Sequence, residues 1–483
     1  MATSSEDSVG GIASAEDRFK NLLTSSGIDV GDNFLKKEVR DAYSSSKLFE
    51  WVKAMPKGAL LHTHGIATAS FARLVDFIVA NERVLVWMPG AEDGCVESEN
   101  VAYAFRYQTT SGDAKDPSLA GIESGWYSAE QIHKLRGKAF WDCIYDALTL
   151  TYDEKIASSN KELWIKFNSI WSRLFTIMST LQFYFFKGGF LWTIFEDCLS
   201  NGVTYVEIKE GLFCAKFVDA NAGLAEVDNF TALEAFKSTV DAFREAHPTF
   251  VGAKIVGLQL KFAEPELVTA NVEELGRLKA RFPQEIAGFD LAGDENALRP
   301  MSDYVQGIRA GLAACEKASG VRVPIMVHAG ESNDPWNRQI FDAVEVGAER
   351  IGHAYALPRH PELLKTVAEK GIVVECCPLS NQVLGLVGHL ANHPGLLMLR
   401  NGVSIVICPD DAGIWHAGPD VTYDICAVAV AWGLKLEEIR CLLRNSLSFS
   451  TLGTDPAEAE RLNAALVQFD KDWTSWLSSF QES

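Results

Sequence analysis

The chain has 483 residues, 47% of them apolar and 22% charged, an ordinary globular composition long enough for one large core plus additions. Its formal net charge of −20 repels phosphate backbones, which argues against a nucleic-acid polymer as partner and leaves a neutral or cationic small molecule as the easier substrate. The acidity also serves solubility, whatever the substrate.

Residues 1–8 lack the basic and apolar regions of a secretory signal. Residues 1–13 are rich in Ser, Gly, Asp and Glu and are expected to form a disordered tail. From 14 to 54 the apolar spacing (Phe19, Leu22, Leu23, then Phe34, Val39, Tyr43) predicts amphipathic helices. Eight short β-rich runs follow, most ending in polar or reactive residues. They are Gly58-Ala-Leu-Leu-His-Thr-His64, Val203 to Lys209, Phe250 to Leu258, Ile286 to Gly293, Val323 to Glu331, Arg350-Ile-Gly-His353, Gly371 to Cys377 and Val403 to Asp411. Near-continuous apolar runs mark strands buried on both faces, and helical patterns fill most gaps between them. Eight strands alternating with helices predict an α/β fold, a (β/α)₈ TIM barrel over 55–483, with its active site at the C-terminal strand ends.

Between the first two strands, 82–135 reads as an irregular insertion or lid, and 139–200 as aromatic-rich helices. Those aromatics, Trp164, Phe167, Trp171, Phe183, Tyr184 and Trp192, are expected mainly in the core, a few of them walling a pocket. The most apolar stretch, about 170–195, is interrupted by Arg173 and Lys187 and predicts buried helices, not a membrane span. Beyond Pro419 the chain is mostly helical and closes the barrel. Ten cysteines in this length make no disulfide framework; they read as reduced core thiols of a cytoplasmic protein, with leaderless export left open.

Alternation along the first strand points His62 and His64 to one side, a spacing suited to one divalent metal. His328 ends the fifth strand across the barrel mouth, and Asp410 ends the eighth, beside the first. A His₃Asp set around Zn²⁺ leaves room for water, whose pKa the metal lowers to roughly 7. His353, ending the sixth strand, fits a general base or an orienter of that water, as well as a structural histidine. Glu331 is placed to protonate a ring nitrogen, and Asp411 to meet a substrate N–H or protonated nitrogen. The nucleophile elbow, the P-loop and the Cys-x-x-Cys signature of cytidine-type deaminases are absent.

With Met55-Pro-Lys-Gly-Ala-Leu-Leu-His-Thr-His64, Gly288-Phe-Asp-Leu-Ala-Gly-Asp-Glu295, His328-Ala-Gly-Glu331, Arg350-Ile-Gly-His353, Glu375-Cys-Cys-Pro-Leu-Ser-Asn381 and Asp410-Asp411 in this order, the chain resembles the adenosine deaminase family. The Met-Pro-Lys-Gly lead-in, Pro378 to Leu384 and Asn445 to Leu452 resemble its growth-factor-type branch. The resemblance implies zinc on His62, His64, His328 and Asp410, water oriented or deprotonated by His353, purine N1 protonated by Glu331, N7 met by Asp411 and N3 by the Gly293 N–H. Trp164 and Glu207 resemble pocket residues of the branch. It also implies a homodimer through 14–54, a segment that itself matches only weakly, as does 82–135. The chain departs from the family where an Asp after His-x-His would hold ribose, here Gly65, and where a His follows the third strand, here Leu260. Gly-His-Gly is here Gly352-His353-Ala354, and Pro409 precedes the Asp pair instead of following it. The reaction centre is complete and the ribose end is not, so adenosine is expected to be a poor substrate. The alternatives are a barrel amidohydrolase for a different or modified compound and a non-catalytic binding descendant.

Overall fold

Strands β1 (Gly58–Leu60), β2 (Val203–Glu210), β3 (Gly252–Leu260) and β4 (Ile286–Ala292) pair in parallel as one run of four. Strands β5 (Met326–Ala329), β6 (Arg350–His353), β7 (Val373–Cys376) and β8 (Ser404–Ile407) form a second. A Phe289–Ile325 bridge joins the runs on one side, and a Thr63–Asp410 bridge closes the circle on the other. The result is the expected (β/α)₈ barrel, in a computed structural model that describes residues 6–88, 105–108, 124–153, 160–214, 216–454 and 456–482. The strands are buried on both faces, β4 along its whole length, which is why they read as unbroken apolar runs. Helices such as Pro361–Lys370 start with proline, whose fixed φ suits the first helical turn, and return the chain to the next strand. No helix among the described residues is long and apolar enough to cross a membrane.

The N-terminal helix runs Glu6–Ser25, into the stretch expected to be a disordered tail. Residues 1–5 lie outside the described residues. Helices Lys37–Ser44 and Lys47–Ala54 follow, as the periodicity predicts. This segment packs on the C-terminal part of its own chain: Arg18 lies over the rings of Trp51 and Phe480, and Trp51 packs edge-on against Trp476.

The insertion is not wholly irregular. Val84–Met88 pairs antiparallel with Phe105–Tyr107 and with Gly125–Ser128, and helix Ala129–Arg136 follows. The Trp87–Trp126 pair, 5.4 Å between ring centroids, lies on one face of this small sheet. Strands of three to five residues flanked by Gly, Ser and Asp carry too little alternation to be read from sequence. Within 82–135, residues 89–104 and 109–123 lie outside the described residues. The cysteine expectation also needs correction: among the described residues eight cysteines are free, but Cys143, on helix Lys138–Leu148, is disulfide-bonded. One such pair leaves no spacing signature in a chain this long.

Candidate active site

The barrel delivers four metal-type ligands to one point. His62 and His64 lie just past β1, His328 sits on β5, and Asp410 lies just past β8. Their ligand atoms all fall within 4.8 Å of one another. His62 Nε2 and His64 Nε2 are 3.3 Å apart, and Asp410 Oδ1 is 3.4 Å from the first and 3.1 Å from the second. Tight backbone makes this convergence possible. Gly352 passes so close to the His62 ring that a Cβ there would stand 2.9 Å from its Cε1. Asp410 (φ 59°) and His353 (φ 62°) adopt left-handed backbone, uncommon for residues with side chains and concentrated at functional sites.

Behind the ligands runs a buried chain of ion pairs inside the barrel. Glu207 Oε2 meets Arg350, and the Arg350 Nε meets Glu375 Oε1, both at 2.6 Å. Glu375 Oε2 accepts from His62 Nδ1 at 2.7 Å and lies 3.1 Å from Lys209 Nζ. Lys209 reaches Asp290 at 3.0 Å, and Asp290 accepts from His328 Nδ1 at 2.8 Å. Burial opposes ionisation, yet Lys209 and Arg350 hold the Glu375 carboxyl well below its usual range. Burial likewise opposes Asp290 ionisation, and His328 and Lys209 overcome it. Burial pushes His328 down to about 3, so its ring is neutral. Nδ1 of both His62 and His328 is held by a carboxylate, so each ring turns its Nε2 toward the common point. Those nitrogens, around a buried carboxylate oxygen that lacks a hydrogen-bond partner, Asp410 Oδ1, describe a cation site. Three imidazoles and one carboxylate fit a divalent metal of borderline softness. A second grouping, His62, His353, Cys377 and Asp410, is equally close. Burial pushes the Cys377 thiol up, and it donates to the Glu375 carbonyl at 3.7 Å.

A cavity of about 400 Å³ opens over this cluster. His64, His328, Glu331, His353, Asp410, Asp411, Gly293 and Trp164 all line it, so these expected residues are brought together; His62 lies buried beneath. Burial, with Asp410 and Glu295 alongside, pushes Glu331 well above the usual carboxylate range. Burial and the adjacent Asp410 push Asp411 up as well. One helix, Asn160–Met178, presents Trp164, Phe167, Trp171, Phe175 and Met178 as a wall, and Phe217, Leu258, Leu260 and Phe262 also border the cavity.

Glu207 is a correction. It does not border the cavity; its carboxyl is fully occupied by Arg350 and by the N–H and hydroxyl of Thr451. Strand alternation turns it into the barrel interior with Tyr205 and Lys209, below the mouth. The residues of β2 that do reach the cavity are its last two, Lys209 and Glu210, and sequence reasoning missed Glu210. Its carboxyl fills the space a side chain at Gly65 would enter: a Cβ there would stand 3.3 Å from Glu210 Oε2. Burial pushes Glu210 up to about 7, and Oε2 has no hydrogen-bond partner. The Tyr184 hydroxyl is near enough to bias this carboxyl but not aligned to bond it. Lys209, Asp290 and Glu375 were also missed as a network; their signal is charge inside otherwise apolar strands.

The adenosine deaminase family model matches residues 147–463, more than half of the chain. The chain belongs to the adenosine deaminase family. It is similar to an adenosine deaminase of Phlebotomus duboscqi, 27% identical over 457 residues covering 92% of this chain and 81% of the relative. It is equally similar to adenosine deaminase 2 of Homo sapiens, 27% identical over 445 residues covering 90% and 80%. Among solved structures, an Arabidopsis N6-methyl-AMP deaminase aligns over 87% of this chain and 99% of its own at a TM-score of 0.56 and 16% identity. A zinc-bound amidohydrolase of Burkholderia ambifaria aligns over 89% and 94% at 0.54 and 17%. Both structural likenesses speak to the barrel. As an adenosine deaminase family member the protein is a metal-dependent hydrolytic deaminase of adenosine or a related aminopurine.

Proposed function

We propose that the metal is zinc, held by His62, His64, His328 and Asp410, and that the protein belongs to the growth-factor-type branch. The donor set supports zinc; relatives named adenosine deaminase 2 and the insertion between β1 and β2 support the branch. The observation that carries the catalytic reading is one cavity bordered by the ligand cluster, two carboxyls of raised pKa and an imidazole. Bound there, zinc acts as a Lewis acid and makes water nucleophilic near neutral pH.

The chain's own groups do the rest. Glu331, whose proton is held by burial beside other acids, gives it to the purine ring nitrogen N1 as water adds to C6; one water proton restores Glu331, the other goes to the exocyclic amine, and the C6–N bond breaks to release ammonia. Asp411 faces N7, and the Gly293 N–H faces N3, so the ring is held flat against the cluster. His353 sits over the attacking water, as its base or as the group that fixes its direction. The apolar wall from Trp164 to Met178 covers the ring and keeps bulk water out. Beyond it Leu260 offers no polar contact, so the group on purine N9 is less polar than an ordinary ribose or is bonded by Glu210. The Cys143 disulfide favours an oxidising compartment over the cytoplasmic location expected from sequence.

Glu331→Gln tests the acid. It keeps shape and metal but cannot donate the proton, and kcat on the preferred aminopurine should fall by roughly 10²–10⁴. A variant within about twofold of the parent would remove Glu331 from this role.

A further inference from the structure

The histidine over the water has a proton position that can be read from its neighbours. His393 precedes helix Gly395–Arg400 and is buried. The Gly395 N–H donates to His393 Nδ1 at 3.0 Å. A backbone amide only donates, so Nδ1 of His393 carries no proton and the proton of this ring is on Nε2. Burial, which pushes His393 down to about 3, agrees with a neutral ring. His393 Nε2 lies 3.0 Å from Asn381 Oδ1 and donates to it. That assigns the amide: its Nδ2 faces His353 Nδ1 at 3.2 Å and donates there. The flipped amide would set one N–H against another at His393. His353 Nδ1 is therefore an acceptor, and the proton of the neutral His353 ring sits on Nε2. That atom is buried, has no hydrogen-bond partner and lies 3.8 Å from Asp410 Oδ2.

We propose that His393 and Asn381 are positioning residues that fix the His353 tautomer, so that His353 presents an N–H to the attacking water oxygen and orients it instead of taking its proton. This rests on the deaminase reading of the site and chooses between the two roles that reading leaves to His353. The sequence offers no hint of it: His393 stands on a different segment from both residues. The competing role is visible too, since His393 Nδ1 accepts the first N–H of helix Gly395–Arg400, from Gly395.

The two nitrogens can be tested apart. An Asn side chain places a polar atom where His Nδ1 stands, and a Gln side chain places its amide where Nε2 stands. His393→Gln should therefore keep the donor to Asn381 and hold kcat within about fivefold. His393→Asn should keep the cap and lower kcat roughly 10²-fold with KM within about threefold, the scale of a lost oriented donor at a reaction centre. Asn381→Asp, which accepts from both rings, should move the His353 proton to Nδ1 with a similar loss. Nitrogen-15 NMR of the zinc-loaded protein reads the tautomer directly: Nε2–H is expected on both His353 and His393 in the parent, and Nδ1–H on His353 in Asn381→Asp. The proposal is overturned by Nδ1–H on His353 in the parent, by His393→Asn matching the parent in kcat, or by equal losses in His393→Asn and His393→Gln. A parent that deaminates no aminopurine would defeat the deaminase reading, and the NMR result would still decide the tautomer.

Discussion

At the scale of single residues, Gly65 stands where the resemblance puts a ribose-binding Asp, and Glu210 from the neighbouring strand fills that space. Adding the missing carboxylate is therefore expected to harm. At Gly65, φ is +36°, and a Cβ would meet Met178 Cε at 3.2 Å and Glu210 Oε2 at 3.3 Å. Gly65→Asp should lower kcat/KM on adenosine at least roughly tenfold, since a buried second carboxylate without a partner costs more than about 1.4 kcal/mol. A gain on adenosine in steady-state kinetics would show that the space is open and that Glu210 does not stand in for position 65. His62, His64, His328 and Asp410 are legible in the sequence because each ends a strand that is itself legible, although what holds them is not. The place of Glu207 is not legible, because resemblance gives a position in a motif, and the face it turns to depends on strand alternation and on Arg350, 143 residues away.

Elements were read well where their pattern was long. All eight barrel strands and the N-terminal helices followed from periodicity, whereas the three short strands between β1 and β2 did not. The Met55-Pro-Lys-Gly lead-in to β1 explains itself only in three dimensions. Lys57 is fully buried and its ammonium donates to the carbonyls of Val52, Lys53 and Met55 at 2.7–2.9 Å, ending helix Lys47–Ala54. Lys57→Met keeps the aliphatic stem and strands those acceptors, so unfolding free energy should fall by roughly 1.5–3 kcal/mol. Burial lowers the Lys57 pKa to about 8 from 10.5, so between these values the unfolded chain binds the proton more tightly than the native one. Stability from this group is complete above pH 10.5 and is lost as pH falls through about 8. Denaturant melts should show the gap between parent and Lys57→Met widening from pH 8 to pH 10; a constant gap would mean that Lys57 does not titrate there.

For the whole molecule, the metal site and the closure of the barrel are one feature. Asp410, a proposed ligand, is also the residue whose bridge to Thr63 joins the last strand end to the first, and its backbone N–H bonds the His62 carbonyl at 3.2 Å. Metal bound to the folded state alone adds roughly 4 kcal/mol at a thousandfold excess over Kd, so stripping it should lower Tm as well as activity. The most direct measurement is ammonia release from adenosine, 5′-deoxyadenosine, N6-methyladenosine, adenine and AMP, by protein as purified, stripped with chelator, and reloaded with one equivalent of zinc, with metal content and Tm recorded in each state. Purified protein should carry about one zinc per chain and release ammonia from at least one aminopurine. Stripping should abolish the activity and lower Tm, reloading should restore both, and His328→Ala should resemble the stripped state throughout. Full activity in metal-free protein, or zinc-replete protein that deaminates none of these compounds, would contradict the account.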